Sequence, residues 1–346
     1  LLKQQSKLSS MELFVTGYLC LVIDLIAKPG SVPIKYCAAI TILASALDIA
    51  VVYFLVAGIT EWKNGAKLFD LTDTSVAVKP AFFCGFLLLA VAAGDTIATT
   101  FRFLRSASDW QLSFLVFLLL TLAIAVYASK LGVFSIARTA EVVLVLLIFS
   151  VVLIILSTLG RADLQNLKVS VDPAGEVLHA ALRGFSVSPS LFAWFVLVSQ
   201  SGPQKQGLFF RVLLAVFCSY VVFTLVGELV LGGFALGQSQ PFYTLARIGN
   251  LSVFRRLDSL HSFVWALVLV QKLAVLFYTA SLLLNGAVKK LTANAAMAIT
   301  AAACAVAAIL LGRIKMQMLP LILTVATILV FLLASLRKGE NPPSES

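Results

Sequence analysis

The stretch QPFYTLARIGNLSVFRRLDSLHSFVW, residues 240–265, separates two long apolar runs. It joins membrane spans rather than forming one, yet it is not an ordinary polar loop. Phe242, Tyr243, Leu245, Ile248, Val253, Phe254 and Leu257 alternate with Arg247, Arg255, Arg256 and Asp258. That mixture suits short helices lying at a membrane surface, apolar side down and guanidinium groups up.

The rest of the chain agrees with a membrane setting. Of 346 residues, 60% are hydrophobic and only 12% charged, where a soluble domain carries roughly 25%. The mean hydropathy is +1.02. A helix crosses ~30 Å of hydrocarbon with about 20 apolar residues. The composition therefore defines a polytopic membrane protein with no separate soluble domain. The net charge of +10 is spread over short connections, as headgroup contact requires, and does not point to nucleic acid. The N-terminal LLKQQSKLSS is polar and leads into the first span, so no cleavable signal peptide is expected.

Cys20, Cys37, Cys84, Cys218 and Cys304 sit in or beside apolar runs, with no CxxC pair, and read as small apolar residues. His179 and His261 stand alone at the starts of spans. No metal site and no cofactor are expected.

Apolar runs fall at about 11–27, 36–59, 79–101, 111–130, 139–160, 177–200, 207–236, 260–287, 292–312 and 317–336. They predict about ten helices, because irregular backbone is not tolerated against lipid. Lys28-Pro29-Gly30, Gly202-Pro203 and Gly312-Arg313 break the connections. Residues 1–336 are expected to form one transmembrane domain, and 337–346 a disordered tail. Lys and Arg are nearly balanced between the two sides, so charge leaves the orientation open.

Two spans carry signs of discontinuity. The sixth contains Arg183-Gly184-Phe185-Ser186-Val187-Ser188-Pro189-Ser190, where Gly and Pro release backbone groups and three serines can satisfy them. The alternative there is a kink, or a helix start at Pro189. The first span is short, contains Asp24 and runs into Lys28-Pro29-Gly30. In transporters such breaks aim half-helix ends at a ligand near the midplane.

Asp24, Asp48, Asp95, Glu228 and Lys272 lie well inside apolar runs, with Glu141 and Arg211 nearer the ends. A charge at mid-bilayer costs at least ~2.5 kcal/mol and normally faces the bundle interior, paired. Each reads either as part of a ligand or proton path or as a structural pair. Gly233-Phe234-Ala235-Leu236-Gly237 is a GxxxG close-contact motif of low specificity. The chain has no P-loop, GxSxG or HExxH, and no carboxylate pair spaced for acid–base work, so an enzyme is not expected.

Within 240–265 the pattern Pro241, Leu245, Arg247, Phe254, Arg256-Leu257-Asp258, Trp265 resembles the B subunit of bacterial spore-germination nutrient receptors. That family belongs to the amino acid–polyamine–organocation transporter superfamily. Upstream, Ala137-Arg138-Thr139-Ala140-Glu141 resembles the family's arginine–x–x–glutamate signature. Asp163-Leu164-Gln165-Asn166-Leu167 resembles its aspartate–leucine–x–asparagine–leucine stretch, and Tyr220 and Tyr278 fall where it tends to carry tyrosine. The likeness is strongest over about 130–290. The chain departs from it in the first span, where Leu21-Val22-Ile23-Asp24-Leu25-Ile26-Ala27 lacks the usual glycine and hydroxyl and carries an aspartate. The usual Trp-Pro before the eighth span is Gln240-Pro241.

The resemblance implies an all-α, LeuT-like five-plus-five inverted repeat (about 11–160 and 177–336), with broken helices one and six and both termini cytoplasmic. It implies a receptor subunit in the spore inner membrane or cell membrane, binding a small germinant, an amino acid being the expected ligand. The expected ligand positions are Val22, Ile23, Asp24, Gly184, Phe185, Ser186 and Ser188. Lys272, in a span that borders the cation site of sodium-coupled members, is expected to pair with Asp24. Pro241, Arg247, Arg256 and Asp258 belong to a lid over the outer vestibule. Expected partners are the lipid bilayer and the A-type and C-type receptor subunits. The competing functions are a proton-coupled amino acid permease, with Asp95 or Glu228 carrying protons, and a structural subunit that has lost ligand binding.

Overall fold

Hydrocarbon offers backbone polar groups no water, so an apolar run survives there by satisfying its own hydrogen bonds. In the computed structural model the apolar runs that fall within the described residues are accordingly α-helical, and the described residues contain no strand. The described residues are 8–26, 79–107, 113–167, 188–201, 207–232, 241–249, 257–288 and 290–313, with 234, 322–323, 325–326 and 329. The helices are α1 (Ser10–Ile26), α2 (Lys79–Ala107), α3 (Phe114–Leu131), α4 (Val133–Thr158), α5 (Pro189–Gln200), α6 (Gly207–Leu231), α7 (Pro241–Ile248), α8 (Leu257–Ala287) and α9 (Ala293–Arg313).

Six of these, α2, α3, α4, α6, α8 and α9, are long and apolar enough to cross a membrane. They are the expected third, fourth, fifth, seventh, eighth and ninth spans. The second span and most of the tenth lie outside the described residues. α5 has 12 residues, about 18 Å at 1.5 Å per residue, too short to cross alone. It is the second part of the expected sixth span.

α8 is the central staff. Its buried positions run round the whole helix, from Leu257 to Ala287, as a helix enclosed by others requires. It packs against α2, α4, α3, α9, α1 and α5. α2 also packs along α9, where small residues allow close approach. A Cβ on Gly94 would meet Ala307 Cβ at 2.6 Å, so only glycine fits there.

α4 begins at Val133, six positions ahead of the expected 139. The break is set by Gly132, whose φ of +86° suits glycine, and nothing between 133 and 138 opposes a helix. Beyond α4, Asp163 accepts a hydrogen bond from Gln165 N at 2.9 Å. Asp163 N and Asn166 Nδ2 both donate to Leu229 O, at 3.0 and 2.9 Å. This ties the end of α4 to the end of α6. It gives the Asp-Leu-Gln-Asn-Leu stretch a mechanical role: the Asp163 side chain shapes the turn, and the Asp163 N–H and the Asn166 amide together satisfy a helix-end carbonyl.

Candidate functional site

The site lies where the last turn of α1 meets the first turn of α5 and the middle of α8. Ser188 precedes α5 in extended backbone and caps it, its Oγ accepting from Ser190 N at 3.0 Å. Pro189 follows at the first helical position, where its missing N–H costs nothing. The Ser188 hydroxyl then donates to Asp24 Oδ2, and Lys272 Nζ donates to Asp24 Oδ1. Both carboxylate oxygens of Asp24 are thus engaged. The pair is mostly enclosed, with 10% of the Lys272 side chain and 19% of the Asp24 side chain exposed.

The electrostatics of this junction are complementary. The carboxylate of Asp24 is bonded through Ser188 to the positive end of the α5 dipole. The Lys272 ammonium supplies a full counter-charge, without which a buried carboxylate is costly. Val268, Leu269, Leu273, Val275 and Leu276 around Lys272 are buried, so the ammonium has little water to fall back on.

Val22 and Ile23 sit beside Asp24 but are only 1% exposed each, in an apolar cluster with Phe103, Trp265 and Leu269. Their side chains are core, and α1 stays helical through them to Ile26. With neither glycine nor hydroxyl between 21 and 26, nothing there unwinds the helix. Gly184, Phe185, Ser186 and Arg256 lie outside the described residues.

A second anchor joins the same two helices a few turns away. Trp194 is fully buried and its indole Nε1 donates to Leu13 O at 2.9 Å. The ring lies over Gly17, where a Cβ would stand 2.5 Å from it. Sequence reading missed this contact. Its only signal is a Trp on α5 and a Gly on α1, and each is common in spans.

Two further polar features reach toward the centre. On α2, Thr99 Oγ1 donates to Asp95 at 3.4 Å and Arg102 Nη2 donates to Thr99 Oγ1 at 3.2 Å. On α8, Gln271 Nε2 donates to Ile136 O at 2.6 Å and its Oε1 accepts from Thr139 at 3.1 Å. Gln271 was not singled out in the sequence, although an amide beside Lys272 in an apolar run is a visible signal. Arg138 and Glu141 of the arginine–x–x–glutamate pattern are both exposed on α4. Among the described residues no three His, Cys, Asp or Glu cluster as a metal site would need.

α7 is the described part of the amphipathic connection. Phe242, Leu245 and Ala246 are buried while Arg247 is exposed. Phe242 packs on Phe223 at 4.6 Å and His261 at 5.4 Å, and Tyr243 meets Phe103 edge-on at 5.4 Å. Burial, and then the Asp258 charge, raise the Tyr243 phenol above its usual 10.0, with Arg247 opposing. Arg247 in the last turn of α7 and Asp258 in the first turn of α8 both complement their helix dipoles. Pro241 begins α7.

A bundle of spanning helices around one enclosed staff, with a half-length helix capped at a buried charge, defines a multi-pass integral membrane protein of the transporter type. The fold is that of a Na+-coupled sialic acid symporter solved in a substrate-bound, outward-open state. The match has a TM-score of 0.58 and covers 96% of this chain and 79% of that chain, at 13% identity. That symporter has the LeuT-like architecture implied above. The chain belongs to the family described as spore germination protein, whose sequence profile matches residues 38–317. Comparison with curated proteins gave no significant match.

Proposed function

We propose that the chain is the membrane-embedded, ligand-sensing subunit of a spore germinant receptor, with an amino acid as germinant. The observation that carries this reading is the Asp24–Lys272 ion pair seated against the Ser188 cap of α5. Together these groups form an internal carboxylate and ammonium, the two charges of a free amino acid. A ligand's ammonium exchanges for Lys272 on Asp24. Its carboxylate goes to the N-terminal end of α5, and Gly184, Phe185 and Ser186 remain the candidate contacts named from the sequence.

The exchange replaces a bond between α1 and α8 by a bond between α1 and the ligand. It therefore favours a different packing of these helices and of the lid (Pro241, Arg247, Arg256, Asp258). A-type and C-type subunits read the change in the spore inner membrane. The signal is no larger than the ligand's differential affinity for the two packings. The structural neighbour is named for sodium coupling. Here the Lys272 ammonium already neutralises Asp24, so this chain works without sodium.

A thermal-shift series of the purified chain against the twenty L-amino acids, in sodium and in choline chloride, tests this. A ligand that binds only the folded state raises apparent stability with concentration. The expected result is stabilisation by one or a few amino acids, equal in both salts. Stabilisation by none of them, or only in sodium, contradicts the proposal. Concentrative uptake by the chain alone in proteoliposomes would instead make it a permease.

A further inference from the structure

We infer that Asp95 is a second docking position for the Lys272 ammonium, so that this lysine is shared between two carboxylates on different helices. The inference rests on the reading that a ligand displaces Lys272 from Asp24. Displacement poses a physical problem: a freed ammonium in an apolar interior is severely unfavourable without another counter-charge. Asp95 supplies one.

Three observations place it there. α8, which carries Lys272, packs against both α1 and α2, the helices that carry Asp24 and Asp95. The Asp95 carboxylate lies within the electrostatic reach of both Lys272 and Asp24. Asp95 also has capacity to spare. Among the described residues it forms no ion pair, and the hydrogen bond from Thr99 is long at 3.4 Å, whereas a carboxylate accepts about four. The nearby cation on its own helix, Arg102, is exposed and donates to Thr99 rather than to the carboxylate.

The lysine suits the task. Its four-carbon stem and three rotatable donors let the ammonium pivot without moving the helix. In the state described here it rests on Asp24, while Thr99 keeps Asp95 oriented. Once Asp24 is taken by a ligand ammonium, Lys272 swings to Asp95. The α1–α8 tie becomes an α2–α8 tie, with no charge left unpaired.

The test needs no ligand, so its outcome is independent of whether amino acids bind. The purified chain in nanodiscs is prepared as Asp24→Asn, Asp95→Asn and the double variant, each with Lys272 and with Lys272→Met. If Lys272 is shared, it moves to Asp95 when Asp24 is neutralised. The double variant then loses several degrees of Tm beyond the sum of the two single losses, and Lys272→Met removes that excess. In the Asp24→Asn background Asp95→Glu keeps the Tm, because the charge is retained. If the double variant does not fold, recovery of folded, monodisperse protein on adding Lys272→Met supports the inference. Additive losses, or no recovery, overturn it and leave Asp95 with a merely local role.

Discussion

The contact between α1 and α5 has two ends that are held by different forces. At one, the Trp194 ring covers Gly17 and hydrogen-bonds to Leu13 O. At the other, Ser188 and Lys272 converge on the Asp24 carboxylate. The first end is neutral, fully buried and closely packed, and no small solute reproduces an indole seated on a glycine. The second is ionic, and any solute with an ammonium group offers Asp24 an equivalent partner. One end is a pivot and the other a latch, and under the proposed function a ligand acts only on the latch.

The pivot has the largest expected effect. Trp194→Ala opens a cavity beside Gly17 and costs about 4 kcal/mol, read as a lowered midpoint in thermal or denaturant unfolding. An effect below about 1 kcal/mol would remove the pivot from the account. Lys272→Met comes next. It leaves Asp24 without its cation and costs about 3 kcal/mol. Adding Asp24→Asn to it sharpens the comparison: with both charges gone, stability returns to within about 1 kcal/mol of the parent, since matched apolar replacements of a buried pair are often neutral. Failure to recover would mean that the latch holds the fold as the pivot does.

Ser188→Ala removes a helix cap and one hydrogen bond to the carboxylate, at about 1–2 kcal/mol. Ser188→Asp restores the cap but sets a second carboxylate against Asp24, so it should be worse than alanine. The opposite order would show that capping dominates at this position.

The smallest effect lies in α7. The Tyr243 phenol is raised above 10.0, so it stays protonated where the unfolded chain's phenol ionises. Its contribution is therefore fully present below pH about 10 and is lost as pH rises through the elevated value. A stability–pH profile should be flat for this group at neutral pH, and Tyr243→Phe should remove only part of the alkaline loss.

The physics of each feature decided how far the sequence revealed it. Hydropathy marked the spans, since a continuous apolar run of about 20 residues satisfies its backbone in lipid as a helix. The alternation of apolar residues and arginines marked α7 as a surface helix, and α7 indeed buries Phe242 and Leu245 while exposing Arg247. Asp24 and Lys272 stood out because charges are rare in apolar runs. Ser188 was weighed as a ligand contact. Its bond to Asp24 joins positions 164 residues apart, which periodicity does not encode. Gly17 and Trp194 were invisible for the same reason: their meaning lies in complementary shape, and each alone is an ordinary residue of a membrane helix. Gln271 carried a visible signal that the stronger charge of Lys272 overshadowed.

The central claim is that an amino acid's ammonium group takes the place of Lys272 on Asp24. It is tested most directly by measuring the affinity of whichever L-amino acid stabilises the parent chain, in the parent and in Asp24→Asn. Asparagine keeps the shape and the Ser188 contact but has no charge for an ammonium. The account predicts an affinity at least tenfold weaker, about 1.4 kcal/mol or more, in Asp24→Asn. Equal affinity in the two proteins would contradict it.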